Sequence, residues 1–115
     1  MPDLTKLKCK PHQKDWRPLK RSEFKEYLAQ IPNWKVIKGD KAIERDFEFK
    51  NFKEALAFVN EVGEFAESEG HHPDVFMHNW RMVRLTLTTH AVGGLSLNDF
   101  IMASKIKMAP ILNST

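Results

Sequence analysis

The chain has 115 residues, 42% hydrophobic and 29% charged, a size and balance that fit one domain with a single core. No apolar run is long enough to cross a bilayer and the first residues lack the apolar stretch of a secretory signal, so a cytoplasmic protein is expected. The single cysteine, Cys9, excludes an internal disulfide and a thiolate cluster for zinc.

Charge is uneven along the chain. Residues 1 to 21 hold seven lysines and arginines against Asp3 and Asp15, and the remainder is slightly acidic. The sequence therefore divides into a basic, solvated leader, residues 1–20, and one domain, residues 21–112. No aromatic interleaving or binding motif accompanies the basic run, so direct contact with nucleic acid is not expected.

The first helix is predicted to begin near Ser22, a good N-cap, because Phe24, Tyr27, Leu28 and Ile31 fall on one face. Pro32 stops it. Trp34 to Ile37 reads as a strand, and the Lys38-Gly39-Asp40-Lys41 turn leads into a second. There Ile43, Phe47 and Phe49 alternate with Glu44, Asp46 and Glu48. Asn51 and Glu54 have the spacing of a capping box, and the helix they open carries Phe52, Ala55, Leu56, Val59, Val62 and Ala66 on its apolar face. Gly70 is placed to end it. Two more strands follow, Val75 to Asn79 and Met82 to Thr88, joined tightly at Trp80 and Arg81. After Gly93-Gly94, Ser96 and Asp99 open a last helix with Leu97, Ile101 and Met108 buried, ended by Pro110. The order α-β-β-α-β-β-α predicts an α+β fold, a single four-stranded antiparallel sheet with three helices on one face.

Three of the five histidines lie in the loops that flank the second hairpin. An antiparallel hairpin returns the chain to its starting point, so His71 and His72 should meet His90 at one end of the sheet. Pro73 forces His72 to be extended, which aims the two adjacent rings in different directions. Imidazoles both give and take protons near neutral pH, so such a cluster suits an elimination that needs an acid and a base. Glu67, four residues before His71, is placed to orient a histidine or a polar ligand. Three imidazoles can also hold a catalytic zinc. The absence of helical i, i+4 spacing and of an HExxH pattern ranks that reading second.

Glu67, three residues, His71-His72-Pro73, six residues, Trp80, nine residues, His90, eight residues and Asp99 form a pattern that resembles the signature of the pterin-4a-carbinolamine dehydratase family. The resemblance extends over the Asn33-Trp34 pair and the Gly94-Leu95-Ser96 turn, and leaves the first twenty residues outside. It implies that the chain is a dehydratase that removes water from 4a-hydroxytetrahydrobiopterin to give quinonoid dihydropterin, in tetrahydrobiopterin recycling. On the same basis His71, His72 and His90 are the catalytic histidines, with His71 and His90 as acid–base groups and His72 in support. Glu67, Pro73, Thr89, Ala91, Val92, Trp34 and Asp99 are implied to line the pterin site. No metal or other cofactor is implied, and the substrate is itself a reduced pterin. Gly70 stands where some relatives carry an acidic residue, and Ala91-Val92 makes the rim after His90 more apolar.

The alternative that the resemblance implies is a dimerisation cofactor for a homeodomain transcription factor. A homodimer or homotetramer is expected in either case, from unpaired sheet edges and from the resemblance together. The last helix, apolar on more than one face at Phe100, Ile101, Met102, Ile106 and Met108, is the candidate subunit contact.

Overall fold

Two hairpins and the helices before and after them build the molecule, and a computed structural model describes residues 3–113. Helix α1, Arg21–Ala29, leads into strands β1, Lys35–Ile37, and β2, Ala42–Glu48. Helix α2, Phe52–Glu69, then carries the chain across to β3, Asp74–His78, and β4, Met82–Leu87. Helix α3, Leu97–Ile106, and a single turn α4, Pro110–Asn113, close the order. All pairings are antiparallel, in the order β1-β2-β4-β3. The expected α+β architecture is present.

Register explains which face is dry. Ile43 opposes Leu87, Arg45 opposes Leu85 and Phe47 opposes Val83. All of these except Arg45 are buried, and they pack with Phe24 of α1, Phe58 and Val62 of α2, and Phe100 and Ile101 of α3. Parity puts Arg45 on this inner face, where its guanidinium lies 4.3 Å from the Phe47 ring centroid. Burial, with no carboxylate partner among the described residues, lowers its pKa from the ordinary arginine value. The outer face carries charge, with Arg84 donating to Asp46 at 2.8 Å. That bond, the largest influence, together with the charge of Arg84 outweighs the opposing effect of burial and holds the Asp46 carboxyl below its usual range.

Several boundaries differ from expectation for local reasons. Helix α1 begins at Arg21, so Ser22 lies inside its first turn; Glu23 reaches back to accept the Lys20 N–H at 2.8 Å and does the capping instead. Asn51 caps α2 as expected, accepting the Glu54 N–H at 2.8 Å. Helix α3 stops at Ile106, and Pro110 opens α4 rather than ending α3, because a first-turn position needs no N–H donor. Met108 falls in the intervening turn and is exposed. Asn79 and Trp80 both take positive φ, 48° and 51°, within a three-residue connection, Asn79-Trp80-Arg81, between the paired His78 and Met82.

The first part of the leader is docked rather than solvated, while most of residues 10–20 are exposed. Residues Leu4–Lys6 form one 3-10 turn, capped by Asp3, whose carboxylate accepts the Thr5 N–H at 3.0 Å. Leu4 is fully buried in the core, and Leu7 and Cys9 pack against it. These apolar residues sit between lysines, so the hydrophobic contribution of an arm was masked by its charge. With the arm in place every residue from Asn98 to Ile106 is buried, which removes α3 as a subunit contact. Its apolar surface is covered from within the chain.

Candidate functional site

Helix α2 ends at Glu69, and Gly70 turns the chain in the left-handed region at φ 68° with its N–H on Ala66 O at 2.9 Å. That reversal delivers His71 toward the first turn of α3. There Asp99 sits at the third helical position, fully buried, and its Oδ2 accepts the Ser96 N–H at 2.9 Å and the Thr89 hydroxyl at 2.8 Å. The Thr89 and Ser96 hydroxyls lie 2.7 Å apart. Asp99 Oδ1 is left for His71, whose Nε2 lies 2.6 Å away on a ring only 13% exposed.

This geometry sets the chemistry of His71. With Asp99 ionised, the ring proton sits on Nε2 and donates to Oδ1, which leaves Nδ1 as the basic nitrogen. Nδ1 has no partner among the described residues. The Asp99 side chain thus has three hydrogen-bond partners at the N-terminal end of α3. An aspartate in this position can fix the tautomer of a histidine and stabilise its imidazolium, as in the Ser-His-Asp triad.

The other expected site residues differ in burial and in partners. Thr89 is the direct link, since its hydroxyl contacts Asp99 and its backbone N–H donates to Gly94 O at 2.8 Å. His90 follows it and opens a 3-10 turn, His90–Val92, that places Ala91 on the surface and Val92 partly covered. His90 is exposed and lines a depression of about 240 Å³ with Lys38, Lys41, Thr88 and Gly93. His72 has a different partner from His71: its Nε2 lies 2.5 Å from Glu67 Oε2, with both side chains more than half exposed. Pro73 is half-buried at the mouth of β3. Trp34 is not gathered into this group. It is buried, edge-on to Phe47, and borders a separate cavity of about 390 Å³ with Arg45 and Lys107. Trp80, part of the sequence pattern, is 63% exposed at the hairpin tip, the opposite end of the sheet from the histidines.

Sequence reasoning missed the layer behind His71. Glu69 Oε2 accepts from Lys105 Nζ at 2.6 Å, with side chains 6% and 10% exposed, and its Oε1 accepts the Cys9 N–H at 2.9 Å. Burial alone would raise the Glu69 carboxyl; the Lys105 and Cys9 hydrogen bonds and the lysine charge outweigh it and hold the group below the usual range. Burial and the adjacent Glu69 push the Cys9 thiol up to about 12. Ser96, read only as a cap, also belongs to the site through Thr89 and Asp99. The one signal for Lys105 was its phase on the all-buried third helix. Among the described residues no three His, Cys, Asp or Glu side chains converge as metal ligands, and no helix is long and apolar enough to cross a membrane.

Comparison with known proteins gives a consistent set of similarities. Residues 17–109 match the family described as Pterin 4 alpha carbinolamine dehydratase. A protein of Alkaliphilus metalliredigens, assigned by name to the pterin-4-alpha-carbinolamine dehydratases, is 47% identical over 107 residues, 92% of this chain and 95% of its own. A protein of Aromatoleum aromaticum with the same assignment is 44% identical, over 90% and 91% of the two chains. Among solved structures, a transcriptional coactivator/pterin dehydratase from Brucella melitensis superposes with a TM-score of 0.74 at 34% identity, covering 81% of this chain and 98% of that one. A pterin dehydratase-like protein identified as a RuBisCO assembly factor of the alpha-carboxysome, at 17% identity and a TM-score of 0.58 over 72% and 93%, shares the fold.

Proposed function

We propose that this chain, which belongs to the pterin 4 alpha carbinolamine dehydratase family, is a hydro-lyase acting on a 4a-hydroxytetrahydropterin, 4a-hydroxytetrahydrobiopterin in the recycling of tetrahydrobiopterin. The reaction breaks the C4a–O bond, removes the proton on N5 and forms the N5–C4a double bond of the quinonoid dihydropterin. The hydroxyl leaves with one added proton as water. No electrons enter or leave, so one acid and one base suffice.

The observation that carries this reading is the 2.6 Å contact between His71 Nε2 and the fully buried Asp99. His71 Nδ1 takes the N5 proton, and Asp99 stabilises the imidazolium that results. His90, which follows the threonine bonded to Asp99, protonates the departing hydroxyl from the exposed side. His72 with Glu67, and the surfaces of Pro73, Ala91 and Val92, contribute binding. Water then resets the pair by moving the proton from His71 back to His90.

Asp99→Asn tests this directly. It keeps the size of the side chain but presents an amide that no longer stabilises an imidazolium. Turnover of chemically generated 4a-hydroxytetrahydropterin should fall at least tenfold with little change in KM. An unchanged kcat would remove Asp99 and His71 as a working pair. The second reading, a dimerisation cofactor, draws on the coactivator description of the Brucella melitensis relative and on the exposed Phe52 and Leu56 of α2.

A further inference from the structure

We infer that the N-terminal arm, residues 3–10, is a positioning element of the histidine site that acts through Asn98 and Glu69. The inference rests on the acid–base reading of His71 given above. Asn98 and Lys10 grip each other reciprocally: the Lys10 N–H donates to Asn98 Oδ1 at 3.0 Å, and Asn98 Nδ2 donates to Lys10 O at 2.7 Å. One residue earlier in the arm, the Cys9 N–H donates to Glu69 Oε1 at 2.9 Å, and the Cys9 thiol lies 3.6 Å from Asn98 O. Asn98 immediately precedes Asp99, and Glu69 is the last residue of α2, two before His71. The arm therefore holds the chain beside each member of the His71–Asp99 pair.

The attachment is built to be rigid. Leu4 is buried at the far end and its N–H donates to Gln30 Oε1 at 3.0 Å. Glu69 is in turn fixed by Lys105, from α3 itself, at 2.6 Å. Arm, α2 terminus and α3 terminus thus close a ring of contacts around the backbone that presents the pair. A 2.6 Å hydrogen bond between side chains on two elements tolerates little relative motion, and catalysis by positioned groups is lost when they drift by about an ångström. Among the described residues, neither Asn98 nor any arm residue hydrogen-bonds a histidine ring, so they are positioning residues rather than catalytic ones.

The experiment uses two full-length variants. Asn98→Ala removes both side-chain bonds to Lys10; Lys10→Pro removes the N–H given to Asn98, constrains the arm backbone at residues 9 and 10, and leaves the sequence of α3 untouched. Each is assayed with 4a-hydroxytetrahydropterin, and the exchange-protected ring proton between His71 and Asp99 is followed as a downfield proton resonance in the ligand-free protein. The expected result is a kcat lowered tenfold or more, a KM within twofold of the wild type, and loss or broadening of the proton resonance in folded protein. A purely structural arm would lower the unfolding midpoint and leave kcat and the resonance unchanged, and that result overturns the inference. Should Asn98→Ala fail to fold, Lys10→Pro decides alone by the same criteria. Absence of dehydration by the wild type would defeat the functional reading, while the proton resonance would still decide whether the arm sets the pair.

Discussion

Asp99 has its carboxylate fully engaged by Ser96, Thr89 and His71, at 2.9, 2.8 and 2.6 Å. Replacing His71 by Ala removes the base and leaves a buried carboxylate short of one donor, so two effects are expected. The dehydration rate should fall ten- to ten-thousand-fold, and stability should fall by about 1–3 kcal/mol for the unsatisfied acceptor. His90→Ala should cost a similar factor in rate with almost no stability change, because His90 is exposed. Comparing kcat with urea midpoints for the two variants separates these effects; equal stability losses would contradict the burial argument. Cys9 offers an independent check. A thiol pushed up to about 12 by burial and by Glu69 is almost wholly protonated at neutral pH. It should react with a thiol-specific disulfide reagent many-fold more slowly in the folded chain than in denaturant, and fast labelling of the native protein would show that the arm does not stay docked.

The element that most repays testing is the junction of α2, α3 and the arm. Glu69 has a carboxyl held below its usual range in the folded chain, so its contribution to stability is full above the unfolded value near 4.5 and is lost as pH falls through the lower folded value. Glu69→Gln should start less stable at pH 7, by about 3–5 kcal/mol if Lys105 is left buried and unpaired, and should show a shallower loss on acidification. Parallel urea-midpoint curves for the two proteins would contradict this. The same junction shows what the sequence made legible. Binary patterning located the four strands and the three long helices, because Ile43, Phe47, Val83, Leu85 and Leu87 alternate cleanly and α2 has a broad stripe. The loops bearing His71 and His90 followed from hairpin geometry, and Thr89 and Asp99 followed from the family pattern. The arm did not, since Leu4 and Leu7 are isolated among lysines and carry no period. The Glu69–Lys105 pair did not, since a buried ion pair becomes visible only when two helices are placed against each other. Trp34 and Trp80 share a sequence pattern with the histidines, yet the fold sends them elsewhere.

At the scale of the whole molecule, β1 and β3 are the sheet edges. Strand β3 is the more adhesive of the two, with Val75 44% and Phe76 55% exposed beside a row of edge backbone groups. Pairing through this edge is the expected route to a dimer, now that α3 is covered within the chain. Light scattering across a micromolar dilution series should give a multiple of 13.4 kDa, and a 13.4 kDa species throughout would contradict it. Activity should survive chelator treatment, because the proposed elimination asks only for a proton donor and acceptor; loss on chelation with recovery on added zinc would favour the metal reading. The central claim is that this chain dehydrates a pterin carbinolamine through His71. Its most direct test is to mix the wild type and His71→Ala with freshly generated 4a-hydroxytetrahydropterin and follow quinonoid dihydropterin by absorbance. The account predicts formation well above the uncatalysed rate with the wild type and a loss of at least tenfold with His71→Ala; a wild-type rate equal to buffer, or a variant as fast as wild type, would contradict it.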